Sequence, residues 1–411
     1  MGRGGRFLND MFNFFQRPFG LNVNDRSIEM VLLSGRENAP KLIAMGQTLL
    51  PSGIIENGKV LDKESLGKQI TALVSKPQFG RIKKRSCIFS LPEEKIFSHF
   101  FKITNNLRKE EELRAVKREV AETFPFSPDE LYLDYIVYPV KDYKGKENRQ
   151  REQTPLEVNN SSEEHKENKS LTGQISNGVY PENEVFLVAC PKNIVNDYID
   201  VLKICLVKPI VLGIESESAI KALSKHRDET ILIVDIGNLT TNLTFSDRGK
   251  IKLSVSIPVA GNRFTLAISK KLNVSLGEAE NLKIKTGLNP EAKEGRVFLI
   301  LQQELREIIE EIKSAEKYSS ENITTEPFKI VLVGGSAQLP YLSEYLSENL
   351  EKEVEIGDPW EKININILKK KPYLKEAMNI NPILFTNSIG LALRGLEKNQ
   401  ASTGINLIKN I

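Results

Sequence analysis

The sequence predicts an α/β protein of two similar lobes that face each other across a cleft. Three observations carry that expectation. The chain has 411 residues, more than one compact core readily accommodates. Apolar strand-like runs alternate with amphipathic helical stretches along most of it. Finally, LNVNDRSIEMVLL (21–33) lies in register with VDIGNLTTNLTF (234–245), half a chain away. Asn22 falls on Asp235, Val23 on Ile236, Asn24 on Gly237 and Ser27 on Thr240, and QTLLP ending at Pro51 parallels SVSIP ending at Pro258.

In order, FGLNV and IEMVLLS read as two strands around a polar turn, and KLIAMGQTLLP as a third. LDKESLGKQITALVSK is periodic at helical spacing, KRSCIFSLP reads as a strand, and EEKIFSHFFKI alternates as another. RKEEELRAVKREVAETFPFSPDEL is a charged amphipathic helix that stops before Pro125, and YLDYIVYPV is a strand. From Lys141 to Asn183 the composition falls to Lys, Glu, Asn, Gln and Ser. Such a stretch buries too little apolar surface to offset its ordering entropy. With strands on both sides, it predicts a long disordered hairpin insertion. Strand EVFLVAC, helix PKNIVNDYIDVLKIC, strand PIVLGIE and helix SESAIKALSKH lead into the second hairpin. LNVSLGEAENLKIKTG and a long helix through GRVFLILQQELREIIEEIKSAEKY follow, and FKIVLVGGSAQLPYLSEYLSENL reads as strand, Gly-Gly turn and helix.

Composition narrows the function classes. Hydrophobic residues at 40% and charged residues at 27% are those of an ordinary globular chain, and a net charge of +3 calls for no nucleic-acid partner. Cys87, Cys190 and Cys205 lie far apart without CxxC spacing, which argues against zinc or a disulfide framework. His99, His165 and His226 are equally scattered, against histidine-based metal or triad chemistry. No apolar run reaches the roughly 18–20 residues of a membrane span. The start places Phe7, Leu8, Met11, Phe12 and Phe15 on one helical face; it reads as a leader, or a short element packed on its own domain, ahead of a membrane-surface anchor. Met1 and Met11 both remain open as the start.

The chemistry sits at the turns. An apolar strand runs into Asp235, then Gly237, then Thr240 and Thr241. Turn amides and hydroxyls clustered this way form an anion-binding nest, and an acid at a strand end holds Mg²⁺ through its waters. In VLVGGSAQLP a strand ends in Gly334 and Gly335 with a helix starting near Ser336, so backbone approaches closely at a helix N-terminus. GEAENLK sets Glu280 and Lys283 one helical turn apart, able to reach one ligand together or to form a solvated salt bridge.

Taken in order, PFGLNVNDRSIE, PSGIIENGKVLD, VKREVAETFPFSPDELYLDYIV, LVKPIVLGIESESAIKAL, VDIGNLTTNLTF, GEAENLKIKTG, VLVGGSAQLPYLSEYLSENL and NSIGLALRGL resemble the actin-like ATPase superfamily, and within it the type IV pilus assembly protein PilM family. The resemblance covers residues 11–400 apart from the polar insertion. It implies an actin-like two-lobe fold, each lobe with an RNase H-like core, plus a small inserted subdomain. The expected divisions are a leader at 1–17, the first lobe at 18–86 and 186–228, an inserted subdomain at 87–185 with its loop at 141–183, a second lobe with the nucleotide motifs at 229–395, and a tail at 396–411. It also implies a cytoplasmic scaffold that binds ATP, grips the cytoplasmic tail of a PilN-like membrane protein and so sits at the inner membrane, coupling the pilus or a related type II secretion platform to motor ATPases. Self-association is a further expectation.

By that resemblance Asp235 holds Mg²⁺ through water, and Asn24, Ser27, Gly237, Asn238, Thr240 and Thr241 contact phosphates. Glu280, Lys283, Gly334, Gly335 and Ser336 hold the nucleoside, with Gly261 and Gln338 completing the cofactor set. Were the chain an active actin-fold kinase or hydrolase, Glu215 or Asp235 would serve as the base. An FtsA-like membrane filament is a third reading, which the closing ASTGINLIKNI, too short for a basic amphipathic anchor, places behind. One departure matters: the family's first hairpin reads Asp-Ile-Gly or Asp-Ile-Ser with a later lysine, whereas here it is Asn22-Val23-Asn24 with Glu29 in the lysine's place. Loss of an acid and reversal of a charge near phosphates predict weakened nucleotide binding and little hydrolysis. Ile405, Asn406, Leu407 and Ile408 follow a pattern similar to the Asn-Leu-Leu-Pro-type motif of PilN-like tails, so residues 404–411 either occupy the partner groove, in cis or from a neighbouring molecule, and compete with PilN, or are a frayed terminus with a chance match.

Overall fold

The computed structural model describes residues 17–139, 182–224, 229–322, 328–366 and 381–409. The expected leader, apart from Arg17, lies outside the described residues, and so does the expected loop up to residue 181.

Strands β1 (Phe19–Val23), β2 (Ser27–Arg36) and β3 (Ala39–Leu49) form an antiparallel meander, followed by a small hairpin, β4 (Ile55–Glu56) and β5 (Lys59–Val60). Helix α1 (Lys63–Ser75) starts where the Asp62 carboxylate accepts the Ser65 N–H at 2.9 Å, a side-chain cap on an otherwise orphaned amide. Strand β6 (Ser86–Leu91) then runs parallel to β1, buried along its whole length as a central parallel strand should be. Next come β7 (Phe97–Thr104), α2 (Lys109–Thr123), β8 (Leu131–Tyr138) and β9 (Glu182–Pro191), with β9 central in a separate antiparallel sheet of order β7-β9-β8. The apolar face of α2 (Val116, Val120) covers that sheet in a core of its own with Ile103, Leu131, Val185 and Leu187. Helix α3 (Lys192–Ile204), strand β10 (Lys208–Ile214) and helix α4 (Glu215–Leu223) complete the first sheet in the order β10-β6-β1-β2-β3.

The second half repeats the plan. Strands β11 (Thr230–Ile236), β12 (Thr241–Asp247) and β13 (Lys250–Ile257) form the meander, and helices α5 (Gly261–Leu272), α6 (Leu276–Thr286) and α7 (Arg296–Asn322) follow. Strand β14 (Lys329–Val333), helix α8 (Leu342–Leu350) and strand β15 (Val354–Ile356) close a sheet of order β13-β12-β11-β14-β15. Both sheets therefore carry three antiparallel strands and two parallel ones in the same arrangement, an RNase H-like core twice over. The last helix, α9 (Thr386–Arg394), returns to the first sheet. There Leu391 joins Ile88 and Val211, and a Cβ at Gly20 would meet the Ser388 carbonyl oxygen at 2.1 Å.

These contacts redraw the expected divisions. Residue 87 falls inside β6, which belongs to the first lobe's sheet, and residue 185 falls inside β9, which belongs to the small sheet. The insertion thus runs from the turn after β6 to Pro191. Helix α9, expected within the second lobe, packs on the first. The expected tail is also no free end in its described part: Ile405, Asn406 and Leu407 are buried.

Candidate functional site

A cavity of about 350 Å³ opens between the lobes, where both hairpin turns meet the ends of β6 and β14. The two hairpins occupy matching places: Asn22 pairs with Glu29 across β1–β2, and Asp235 pairs with Asn242 across β11–β12. The acid absent from position 22 has thus moved to the facing strand, and acid and amide have exchanged sides.

The turns differ in what they present. In the first, the Asn24 side-chain oxygen accepts the backbone N–H of both Arg26 and Ser27 at 2.9 Å. Those are the amides a phosphate would need, so this nest is filled by its own side chain. In the second, Gly237 has no side chain to do so; its N–H closes the turn onto the Thr240 carbonyl at 3.0 Å, and Asn238, Leu239 and Thr240 line the cavity. Gly334 has φ +85°, and a Cβ there would meet Asp235 Oδ1 at 2.3 Å. Glycine is what lets β14 end against the acid. At Gly261 a Cβ would lie 2.6 Å from Ser336 Oγ, a hydroxyl that donates to the Gly237 carbonyl at 3.2 Å.

Of the expected site residues, Asn24, Ser27, Glu215, Asp235, Gly237, Asn238, Thr240, Gly261, Glu280, Lys283, Gly334, Gly335 and Ser336 line this cavity. Thr241 and Gln338 do not. Thr241 opens β12 with its side chain buried on the face away from the cavity, donating to the Val259 carbonyl at 2.6 Å, while its strand neighbour Asn242 lines the cavity. Gln338 is exposed at the end of the short helical turn after β14.

Lys283 is in the wall but committed. Its buried Nζ donates to the Gly261 carbonyl and Thr265 Oγ1 at 2.9 Å and pairs with Glu280 at 2.8 Å. An ammonium has three N–H donors, and all three are used, so Lys283 ties α6 to the start of α5. The Arg26 guanidinium on the first hairpin is then the remaining cation of the lining, beside Asp25, Glu29, Glu94, Glu215, Asp235 and Glu280.

Burial dominates the protonation of these acids. Glu29 is pushed up to about 7 by burial, against the hydrogen bonds from Ser27, Gln47 and Asn22 that favour its charged form. Asp235 is raised to about 6 by burial and then by nearby Glu93, while Asn387 partly offsets this. Glu215 is pushed well above the usual carboxylate range by burial, then by Glu94, Glu93 and Asp235. Glu215 and Glu93 each accept the other's backbone N–H, at 3.3 and 3.1 Å, and Glu93 also accepts the Ser254 hydroxyl of the second lobe at 2.9 Å.

Motif reading did not find Glu93, Glu94, Gln47, Asn242 or Asn387. Asn242 carried a signal, since it is the repeat mate of Glu29; the others act through contacts between distant segments. Asn242 and Asn387 line the cavity, and the side-chain oxygen of each is buried with no hydrogen-bond partner among the described residues. Asn242 stands opposite Asp235 across β11–β12, and the Asn387 side chain hydrogen-bonds the Asp235 carboxylate. The second hairpin thus brings a carboxylate to the cavity, whereas the amides of the first turn are taken by Asn24.

The family model of the type IV pilus assembly protein PilM matches residues 20–150 and 174–396. The chain belongs to the PilM family. A solved PilM-PilN type IV pilus biogenesis complex is similar at a TM-score of 0.71 and 21% identity, covering 93% of this chain and 99% of that one. That likeness establishes the PilM fold, the actin-like pair of lobes with its inserted subdomain. Among curated relatives, the cell division protein FtsA of Buchnera aphidicola subsp. Baizongia pistaciae is 27% identical over 222 residues, covering 47% of this chain and 52% of that protein. FtsA of Bacillus subtilis (strain 168) is 31% identical over 182 residues, 39% of this chain and 40% of the relative. The chain spans about half the length, or less, of these curated relatives. Among the described residues, no helix is long and apolar enough to cross a membrane.

Proposed function

We propose that this PilM-family chain is a cytoplasmic scaffold of the type IV pilus inner-membrane platform, or of a related secretion platform, and that it grips the cytoplasmic segment of a PilN-like membrane protein. The family match over most of the chain carries this reading, and the similarity to a PilM-PilN complex supports the partner. Contacts with pilus motor ATPases and self-association belong to the same proposal. Nucleotide in the cleft is structural or regulatory, with little turnover. Mg-ATP would lie on the second hairpin, Asp235 holding the ion through water with Asn242 and Asn387 beside it, and the ion would shield phosphate charge that Arg26 alone does not balance. Gly237, Asn238 and Thr240 would face the phosphates, and Glu280, Gly334, Gly335 and Ser336 the nucleoside.

The kinase or hydrolase reading needs an ionised base near the terminal phosphate. Glu215 is poorly suited, because burial among three other acids favours its protonated form and Glu93 holds it by reciprocal backbone bonds. The test pairs two measurements on the purified chain. A labelled peptide from the cytoplasmic segment of a PilN-like membrane protein should bind in fluorescence anisotropy, and ATP turnover should stay far below the roughly 10 per second of an ordinary enzyme. Absence of peptide binding, or turnover at the ordinary rate, would sink the scaffold reading.

A further inference from the structure

The end of the first lobe away from the cleft gathers the cations of two distant segments. Residues 76–85 (KPQFGRIKKR) and 201–208 (VLKICLVK) carry seven basic residues and no acidic one. The chain has 57 basic and 54 acidic residues, so without these seven it would be net acidic by four. All seven are exposed, and the fold brings them to one place. Arg85 donates from Nη1 to the Cys205 carbonyl at the end of α3 and from Nη2 to Ser75 Oγ at the end of α1, both at 3.1 Å. Its own carbonyl accepts the Lys208 N–H at 2.8 Å, where β10 starts beside β6. Lys203 pairs with Asp200 at 3.2 Å, whereas among the described residues no acid pairs with Lys76, Arg81 or Lys208. Pro92, Glu94 and Glu215, which follow β6 and β10 at their other ends, line the cleft roughly 20 Å along the sheet.

Within this patch, the turn from α3 into β10 carries leucine where its geometry calls for glycine. The Leu206 N–H donates to the Lys203 carbonyl and the Val207 N–H to the Leu202 carbonyl, at 3.0 and 2.9 Å, the paired bonds of a left-handed helix stop. Leu206 has φ +54°, a conformation that glycine adopts freely and leucine only at a cost. Its side chain recovers little by packing. It is 77% exposed, the highest value of any large hydrophobic among the described residues, and nearby Ile204 is 47% exposed. Stability does not explain a backbone cost and an exposed apolar side chain at one position. Cations near helix carboxyl ends do offset the helix dipole, but Arg85 already serves α3, and six more exceed that need. Cations around projecting aliphatic side chains suit an anionic bilayer, whose phosphates meet the charges while leucine and isoleucine enter the acyl boundary. The single aromatic residue of the two segments, Phe79, is buried, so nothing there would stack on a nucleic-acid base. Five of the seven cations are lysine, a residue that protein interfaces tend to exclude.

We propose that this end of the first lobe docks directly on an anionic lipid surface, with Leu206 and Ile204 entering the headgroup boundary and the surrounding cations on the lipid phosphates. The cleft, at the far end of the same strands, then faces away from the bilayer. This goes beyond the scaffold reading and does not rest on it, since the test needs neither a partner protein nor a nucleotide. The full chain is mixed with vesicles of phosphatidylcholine alone, or with about one third phosphatidylglycerol, and the bound fraction is read by flotation. The wild type should float with the anionic vesicles, lose that binding at high salt and ignore the neutral ones. Leu206→Gly suits φ +54° and should melt no lower than the wild type, yet bind the anionic vesicles about tenfold more weakly. The triple variant Lys76→Glu, Arg81→Glu, Lys208→Glu should lose at least about tenfold. Leu299→Ser, at a leucine 56% exposed on α7 of the second lobe, should lose nothing. Residues 1–16 are present throughout, so their contribution is common to every variant. A wild type that does not float, equal flotation on both vesicle types, or unchanged flotation of the Leu206 and triple variants would overturn the proposal. So would binding of duplex DNA or polyglutamate as tight as that of the anionic vesicles and untouched by Leu206→Gly, which would assign the patch to a soluble polyanion.

Discussion

The two hairpins share length, register and place in their sheets, yet their turns offer an anion opposite surfaces. Gly237 leaves the second turn open beside Asp235 and two unpartnered amide oxygens, while Asn24 fills the first with its own side chain. The acid of the second pair stands on the incoming strand, and that of the first, Glu29, on the outgoing one. A duplicated unit can thus keep its backbone while its two turns present different groups through differences at a few positions. What decides the matter is which side chain reaches the turn amides first.

Removing the acid of the second hairpin should have the largest effect. Asp235→Ala deletes the one charged member of the proposed ion seat and should weaken Mg-ATP binding by about a hundredfold, the upper weight of a hydrogen bond to a charged group. Equal affinities in titration calorimetry would end Asp235's role.

The second test concerns Glu29. Its pKa is raised from 4.5 to about 7 in the fold, so its protonated form is favoured there. The stability it contributes is complete below pH 4.5 and is lost as the pH rises through about 7, a difference of about 3 kcal/mol for such a shift. Glu29→Gln should therefore raise the melting temperature at pH 8 and leave it little changed at pH 4. A gain of the same size at both values would contradict the assignment.

Repairing the first turn should have a smaller effect. Asn24→Gly frees the Arg26 and Ser27 amides and Glu29→Lys reverses the nearby charge, so the double variant should bind Mg-ATP about tenfold more tightly. No gain over the wild type would mean that the first hairpin does not face the phosphates at all. The smallest change in binding is expected at Lys283, whose three donors are already committed. Lys283→Met should leave Mg-ATP affinity within about twofold while lowering the melting temperature, since Glu280 and the Gly261 carbonyl lose their partner. A large loss of affinity at unchanged stability would restore Lys283 as a ligand contact.

Much of this cleft was legible in the sequence because its parts are local. Strand alternation and the repeat of Asn22–Ser27 in Asp235–Thr240 identify the hairpins, and the Gly334-Gly335 pair marks where β14 must end close to something. The alternation of β12 separates Thr241 from its strand neighbour Asn242, and Asn242 is the one that lines the cavity. Lys283 was read at the right place with the wrong duty, because its acceptors lie 18 and 22 residues away and no spacing announces them. Glu93 and Asn387 depend on contacts with Ser254 and Asp235 far along the chain, and the boundaries at 87 and 185 failed because strand signals do not say which sheet a strand will join.

Helix α9 has a consequence for how the molecule is made. The face of the first sheet around Gly20, Ile88 and Val211 is covered by a helix more than 360 residues downstream of β1. During synthesis, at about 5–20 residues per second, the amino-terminal lobe would wait on the order of tens of seconds with that face bare. The second sheet and helices α5 to α8, whose strands and helices follow one another closely, have no such debt to later sequence. The lobe translated first is therefore expected to be the lobe that finishes last, and its nascent form the one most in need of a chaperone.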